Sequence, residues 1–297
     1  MDKTKQPLGV VAMVYEDYDL LARWYEYYGA QVGPENLFVF SHGNDPKHRA
    51  IAKDANVMNV PRDPQMFKFD RRRWTMLSAF TSGMLQFYNW FLTTDIDELV
   101  IVDPDVAPSL VPYLEQKFPN ISAAPTSISP FALNIVHVPE QETQPIEPGH
   151  SVLSRRRYFS PSRVYSKPIL VRAPVIFGPG AHRNNLGPRT LSDDLYLVHL
   201  KYFDVPEMTN RAERQSKLLG LAGQGESENT PAHVWSKTLE DYQKIRSTHE
   251  LGPEDIALPE IRAKMMKQKQ KFTNQFIWGT FSNSTLYRIP ERFSSQV

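Results

Sequence analysis

Four short apolar runs in the first third of this 297-residue chain, each separated from the next by an amphipathic stretch, leave few folds open to it. Leu8 to Tyr15, Asn36 to Ser41, Asn56 to Val60 and Trp90 to Thr94 have the length of buried strands, and the segments between them carry apolar residues at helical spacing. This is the pattern of a parallel sheet covered by helices, because parallel strands need crossovers and the crossovers bury both faces of the sheet. Asp17 or Asp19 is placed to cap a helix that carries Leu21, Trp24, Tyr25 and Tyr28 on one face, and Gly29 is expected to end it. Between Phe69 and Tyr88, the residues Trp74, Leu77, Thr81, Met84, Leu85 and Tyr88 form a second stripe, read as core. Another short apolar run, Leu99 to Val102, comes later, and further strands are expected at Phe131 to His137, Ile169 to Arg172 and Leu195 to His199. Beyond Val205 the pattern turns helical and charged. The expected division is a catalytic domain over 1–204 and a helical extension over 205–297. In that extension Lys264 to Lys271 is read as the wet face of a helix whose Ile261, Met265, Phe272 and Phe276 point inward.

Charge and cysteine content narrow the function. Lys and Arg number 34 against 33 Asp and Glu, so no global field exists to hold nucleic acid, and no nucleic-acid partner is expected. The absence of cysteine removes thiolate catalysis and Cys-ligated metal sites, leaving oxygen and imidazole ligands. The first apolar run is too short to span a bilayer and lacks a small-residue cleavage signal; no transmembrane segment and a cytoplasmic location are expected.

The fourth apolar run leads directly into Asp95-Ile96-Asp97-Glu98. Two carboxylates separated by one residue face the same way in extended chain, and open α/β sheets place ligands at the ends of parallel strands. Such a pair suits Mg²⁺ or Mn²⁺, which share one or two carboxylates with substrate phosphates, so a diphosphate is the natural third party. Beside other acids, Asp97 is also expected to be repelled when no cation is present. A solvated acidic turn competes as a reading of so short a pattern. Bulky Trp90 to Leu92 before the acids and Leu99 to Val102 after them weigh against it, because they would hold the acids at an ordered sheet edge. An EF-hand fails, since Leu99 and Val100 stand where acids or the turn glycine are required. A phosphoaspartate phosphatase is disfavoured, because its acids lie on the first strand and a small hydroxylic residue follows.

At these residues the chain resembles glycosyltransferases of the GT-A fold, the family 2-like and family 92-like enzymes, from Leu8 to Phe203. The run Val10 to Asp17 followed by Leu21 to Gly29 looks like the family's first strand and helix, with Glu16 at its acid and Tyr15 where an Asn is common. Trp90 to Leu99 looks like its metal motif. Lys167 to Pro174, His182 and Leu197 to Leu200 resemble its later segment, whose closing histidine is a metal ligand. The resemblance implies a GT-A type nucleotide-diphospho-sugar transferase fold, with a mostly parallel sheet flanked by helices. It also implies transfer of a sugar from a UDP- or GDP-sugar donor to a glycan or other hydroxyl acceptor, with Mn²⁺ or Mg²⁺ as cofactor.

By the same resemblance, Asp97 and His199 hold the ion, Asp95 faces the ion or the ribose, and Glu16 contacts the nucleotide. Taken alone, His199 reads as a hydrogen-bonded core histidine at the end of an apolar run. Lys167, or an arginine from Arg71 to Arg73, would add charge at the diphosphate. Those arginines sit in the first turn of a helix, where positive charge opposes the macrodipole, and pairing with Asp63 and Asp70 is the competing account. His182, in a Gly-Pro-Gly loop, is a candidate to cover substrate. For an inverting reaction, Asp193 and Asp194 are the candidate general bases. A nucleotidyltransferase built on the same acids, or a non-catalytic nucleotide-sugar-binding protein, stays open beside these readings.

Overall fold

The computed structural model describes residues 1–62, 68–147, 149–187, 189–219, 237–253, 257–266, 269–272, 275–278 and 283–297. Gln6–Val14 (β1), Leu37–His42 (β2), Asn56–Val60 (β3) and Tyr88–Thr93 (β4) lie side by side in the order β4-β1-β2-β3, all parallel. From Leu8 onward β1 is buried on both faces, which is why it reads as continuous apolar sequence instead of alternating. The crossovers are Tyr18–Val32 (α1), Pro46–Ile51 (α2) and Phe69–Met84 (α3). In α3 the expected stripe turns Trp74, Leu77 and Thr81 into the core. α1 buries Leu20, Leu21, Trp24 and Tyr28 but runs past Gly29. It stops at Gly33, whose φ of +84° suits a residue without Cβ, and the Gly29 carbonyl accepts from the Gly33 N–H at 2.9 Å.

The four strands pack tightly enough that Gly9 has no room for a side chain, since a Cβ there would overlap the Phe91 ring. Gly9→Ala is therefore expected to lower the unfolding free energy by about 1–3 kcal/mol. Urea denaturation reads this as a lower midpoint at unchanged slope. An unchanged midpoint would mean that the ring moves aside freely.

Beyond β4 the sheet is mixed, where a mostly parallel one was expected. Glu98–Val102 (β5) is followed by the helix Leu110–Lys117 (α4) and runs antiparallel to Thr190–Tyr202 (β9), with Glu98 opposite His199. β9 is parallel to Ser127–Val136 (β6), and Asn134 is also opposite His199. β6 continues antiparallel to Tyr158–Ser162 (β7), while Leu170–Val171 (β8) joins β4 to β6. Eleven described strands form this one sheet, flanked by helices.

The segment after residue 204 supplies Val205–Leu219 (α5) and helices at Thr238–Thr248 and Leu258–Met266. It also returns to the sheet: Thr285–Arg288 pairs antiparallel with β7, and Arg292 clasps Asp103 through two bonds of 2.8 and 2.9 Å. The helix expected to continue through Lys271 ends at Met266, and Lys269–Phe272 pairs with Gln275–Trp278 as a hairpin. A spacing of four between Phe272 and Phe276 is shared by helices and tight hairpins, so the local pattern did not separate them. Among the described residues no helix is long and apolar enough to cross a membrane.

Candidate active site

β1 and β4 end side by side, and the residues that follow them converge. Tyr15-Glu16-Asp17 leaves β1, Thr94-Asp95-Ile96-Asp97 leaves β4, and a cavity of about 170 Å³ opens between them. Glu16, Asp95, Asp97 and His199 all line it, so four positions implied by the resemblance share one space. Glu16 holds φ +59°, a left-handed conformation that a side chain with a Cβ rarely adopts and that concentrates at functional sites. Asp17 makes no side-chain cap to α1; its carboxylate pairs with Arg211 at 3.5 Å and Arg214 at 3.1 Å, both from α5.

Asp95 is held from two sides. Arg73 Nη1 lies 2.9 Å from one carboxylate oxygen and Lys167 Nζ 2.8 Å from the other. Lys167 is 1 % exposed and also contacts Glu98 at 2.5 Å, while Glu98 accepts the Asp95 N–H at 3.2 Å. Burial opposes the Asp95 charge, yet Arg73 and Lys167 outweigh it and hold the carboxyl well below the usual carboxylate range. For Glu98, burial wins over Lys167 and pushes the carboxyl up. Lys167 therefore sits beneath the acids as their counter-charge and does not line the cavity, which corrects the expectation that it reaches a diphosphate.

Asp97 faces His199 and Arg211. Its Oδ2 is 3.3 Å from Arg211 Nη2 and 3.7 Å from His199 Nε2. Burial works against the Asp97 charge, and the opposing pull of His199 and Arg211 lowers its pKa. Because burial takes His199 down to about 3, its ring is neutral near pH 7, and Arg211 is the standing cation. His199 Nδ1 lies 2.8 Å from Asn134 Oδ1, a partner that can only accept, so Nδ1 carries the proton and Nε2 turns its lone pair toward Asp97. The Tyr165 ring, 4.0 Å away between centroids, fixes the plane of the imidazole.

This pair fits a divalent ion. Two ligands at about 2.1 Å each from a metal can stand 3.7 Å apart, and an imidazole oriented through its other nitrogen is the usual ligand arrangement. Among the described residues no cluster of three His, Asp or Glu side chains is placed to hold a metal, so further ligands would come from substrate or water. Asp95 is not free to be one of them, because both of its oxygens are engaged by Arg73 and Lys167.

Other expected residues fall elsewhere. Arg71 is exposed on α3, and Arg73, two residues on, is the arginine that turns to the acids and to Asp70. Asp63 lies outside the described residues. His182 donates from Nδ1 to the Val164 carbonyl at 2.9 Å and meets the edge of Tyr165, so it backs the cavity wall and does not line it. Asp193 pairs with Arg262, and Asp194 with Lys117. β9 pairs without interruption with β5 from Leu195 to His199, which puts Asp194 about 16 Å from His199 along the strand and removes both acids as general bases at this cavity. Sequence reasoning missed Arg211, Arg214, Tyr165 and Asn134; only a charged α5 and the Asn134–His199 register across two strands could have signalled them. Tyr15, His42 and Phe69 also line the cavity, and His42 stacks on Phe69 at 4.9 Å with planes 20° apart.

The chain is thus a mixed α/β protein with an acid-and-arginine cavity at the ends of its parallel strands. No family model matches it, and no curated protein is similar at a significant level. Among solved structures, a mannose-1-phosphate geranyltransferase from Thermus thermophilus matches over 79 % of this chain and 67 % of that one, at 12 % identity and a TM-score of 0.26. At that score the likeness is loose and assigns nothing to the site.

Proposed function

We propose that this chain is a GT-A type glycosyltransferase that moves a sugar from a UDP- or GDP-linked donor to an acceptor hydroxyl, with Mn²⁺ or Mg²⁺ held by Asp97 and His199. The observation that carries the reading is the neutral His199 imidazole, its tautomer set by Asn134, facing Asp97 in a cavity that Glu16 also lines. When bound, the ion neutralises charge on the departing diphosphate as a Lewis acid.

The chain's own residues do the rest. Arg73 and Arg211 line the cavity and offer guanidinium groups to phosphate oxygens. Lys167 keeps Asp95 ionised and in place beneath them. The His42 and Phe69 faces suit a planar base, and Glu16 is placed to accept from a hydroxyl. In this reading residues 1–204 form the catalytic domain, and 205–297 form an extension whose first helix closes the cavity through Arg211 and Arg214.

The test is turnover across a panel of nucleotide sugars and nucleoside triphosphates, with and without Mn²⁺. Release of a nucleoside diphosphate from one donor, abolished by EDTA, is expected. Release of pyrophosphate from a triphosphate would instead make the protein a nucleotidyltransferase. Metal-dependent binding without turnover of either class would make it a binding protein, and no binding at all would sink the reading.

A further inference from the structure

Arg211 holds the oxygen that a divalent ion between Asp97 and His199 would need. Its Nη2 donates to Asp97 Oδ2 at 3.3 Å, and that same oxygen lies 3.7 Å from His199 Nε2. Among the described residues no other group donates to the Asp97 carboxylate. The guanidinium is itself under-used. A guanidinium carries several N–H donors, yet this is the one hydrogen bond that Arg211 makes among the described residues. Its Nε is buried without a hydrogen-bond partner, 3.5 Å from Asp17 Oδ1, and the residue is 9 % exposed on the cavity wall. A buried guanidinium with spare donors facing a cavity suits an anion, and its planar fork matches phosphate oxygens.

The charge on the cavity wall sets the terms of any exchange. Four carboxylates line it, those of Glu16, Asp17, Asp95 and Asp97. Against them stand four cations, Arg73, Lys201, Arg211 and Arg214, so with its imidazoles neutral the wall is balanced among the described residues. A divalent ion entering alone would leave its charge uncompensated in a partly buried space, which is strongly disfavoured. A diphosphate entering with it restores the balance. Of the four cations, Arg211 is the one free to follow. Arg73 is fixed between Asp95 and Asp70, Lys201 pairs with Asp241 at 3.2 Å, and Arg214 holds Asp17 at 3.1 Å and Glu207 at 3.3 Å. Arg214, three residues along α5, also keeps the helix fastened to Asp17 while Arg211 changes partners.

We propose that Arg211 is an exchange cation, which holds Asp97 Oδ2 until a diphosphate takes its guanidinium and a divalent ion takes the oxygen, so that ion and diphosphate bind as a coupled pair. The proposal rests on the transfer reading above for the place of the ion at Asp97 and His199.

Titration of Mn²⁺ into the full chain, followed by the paramagnetic resonance of the free ion, tests this without turnover. Arg211→Gln is expected to bind bare Mn²⁺ about tenfold more tightly than wild type, because the ion no longer displaces a charged donor. Arg214→Gln removes the same charge from the same wall but leaves Asp97 paired, and should tighten binding less. Equal tightening by the two, or none by Arg211→Gln, overturns the exchange. In the wild type, UDP or GDP should raise Mn²⁺ affinity about tenfold or more, after subtraction of ion bound by free nucleotide, and Mn²⁺ should raise nucleotide affinity by the same factor. This arm needs no variant, and absence of coupling overturns the proposal outright. In Arg211→Gln the factor should shrink, since the bare ion already binds well and no guanidinium meets the phosphates; a factor as large as in wild type also overturns it. Mn²⁺ bound alike by wild type and Asp97→Asn would take the ion away from Asp97, removing the transfer reading and the exchange with it. Tightening and coupling as expected, in a protein that turns over no nucleotide sugar, would leave the exchange standing and remove only the sugar transfer.

Discussion

Asp97→Asn is expected to fold, to bind nucleotide sugar without its metal-dependent increment, and to lose turnover by about a hundredfold or more. The substitution keeps size and hydrogen-bonding capacity while removing the charge that, with His199, would hold the ion beside the diphosphate. One well-placed electrostatic group at a reacting centre commonly accounts for a loss of about that size. Steady-state turnover against Mn²⁺ concentration measures it, and a wild-type rate with unchanged metal dependence would reduce the acidic motif to a solvated turn. On stability, the structure reverses the sequence expectation that Asp97 is repelled in the metal-free protein. Arg211 stands 3.3 Å from it and its pKa is lowered, so the folded state favours the charged carboxylate. The neutral variant should therefore be less stable than wild type, on the order of 1–3 kcal/mol, since it leaves a buried guanidinium with a weaker partner. A more stable variant in metal-free denaturation would refute that account of Arg211.

Lys167→Met should be the more damaging change for folding. Lys167 is 1 % exposed and is the cation between Asp95, at 2.8 Å, and Glu98, at 2.5 Å. Methionine can fill the space but not the charge, and Asp95 then keeps only Arg73 while Glu98 keeps no ion pair among the described residues. Breaking a buried pair by removing one partner is expected to destabilise by about 3–5 kcal/mol. Adding Glu98→Gln should recover part of that loss, because it removes the carboxylate left without a counter-charge. Urea denaturation of wild type, both single variants and the double variant forms a closed cycle that isolates the coupling. A Lys167→Met protein that unfolds at the wild-type midpoint would show that the lysine charge is not what holds the acids.

The legible parts of this molecule are those that local chemistry specifies. β1 to β4 were readable because strands buried on both faces must be apolar throughout, and the acids at the end of β4 because a break from Leu92 to Asp95 within a few residues marks a sheet edge. Glu16 and His199 were reached only through the resemblance; neither residue announces itself by period or composition. Asp193 and Asp194 misled for a metric reason: nearness in sequence to His199 means distance in an extended strand, whereas the same spacing in a helix would have brought them together.

Arg211 shows the opposite limit. It meets Asp97 across 114 positions of chain, on a helix whose own sequence reads as charged surface. Lys167 looked like an available cation because its neighbours in sequence do not reveal that Asp95 and Glu98 engage it. Sequence alone thus determined the four parallel strands, the helical crossovers between them and where carboxylates stand at a strand end, since these follow from short-range periodicity and solvation. Only the tertiary structure decided which cation neutralises which acid and that His199 presents a lone pair to Asp97. Those are pairings between distant segments, and electrostatic interaction in a low-dielectric interior depends on spatial separation and burial, neither of which a local sequence window contains.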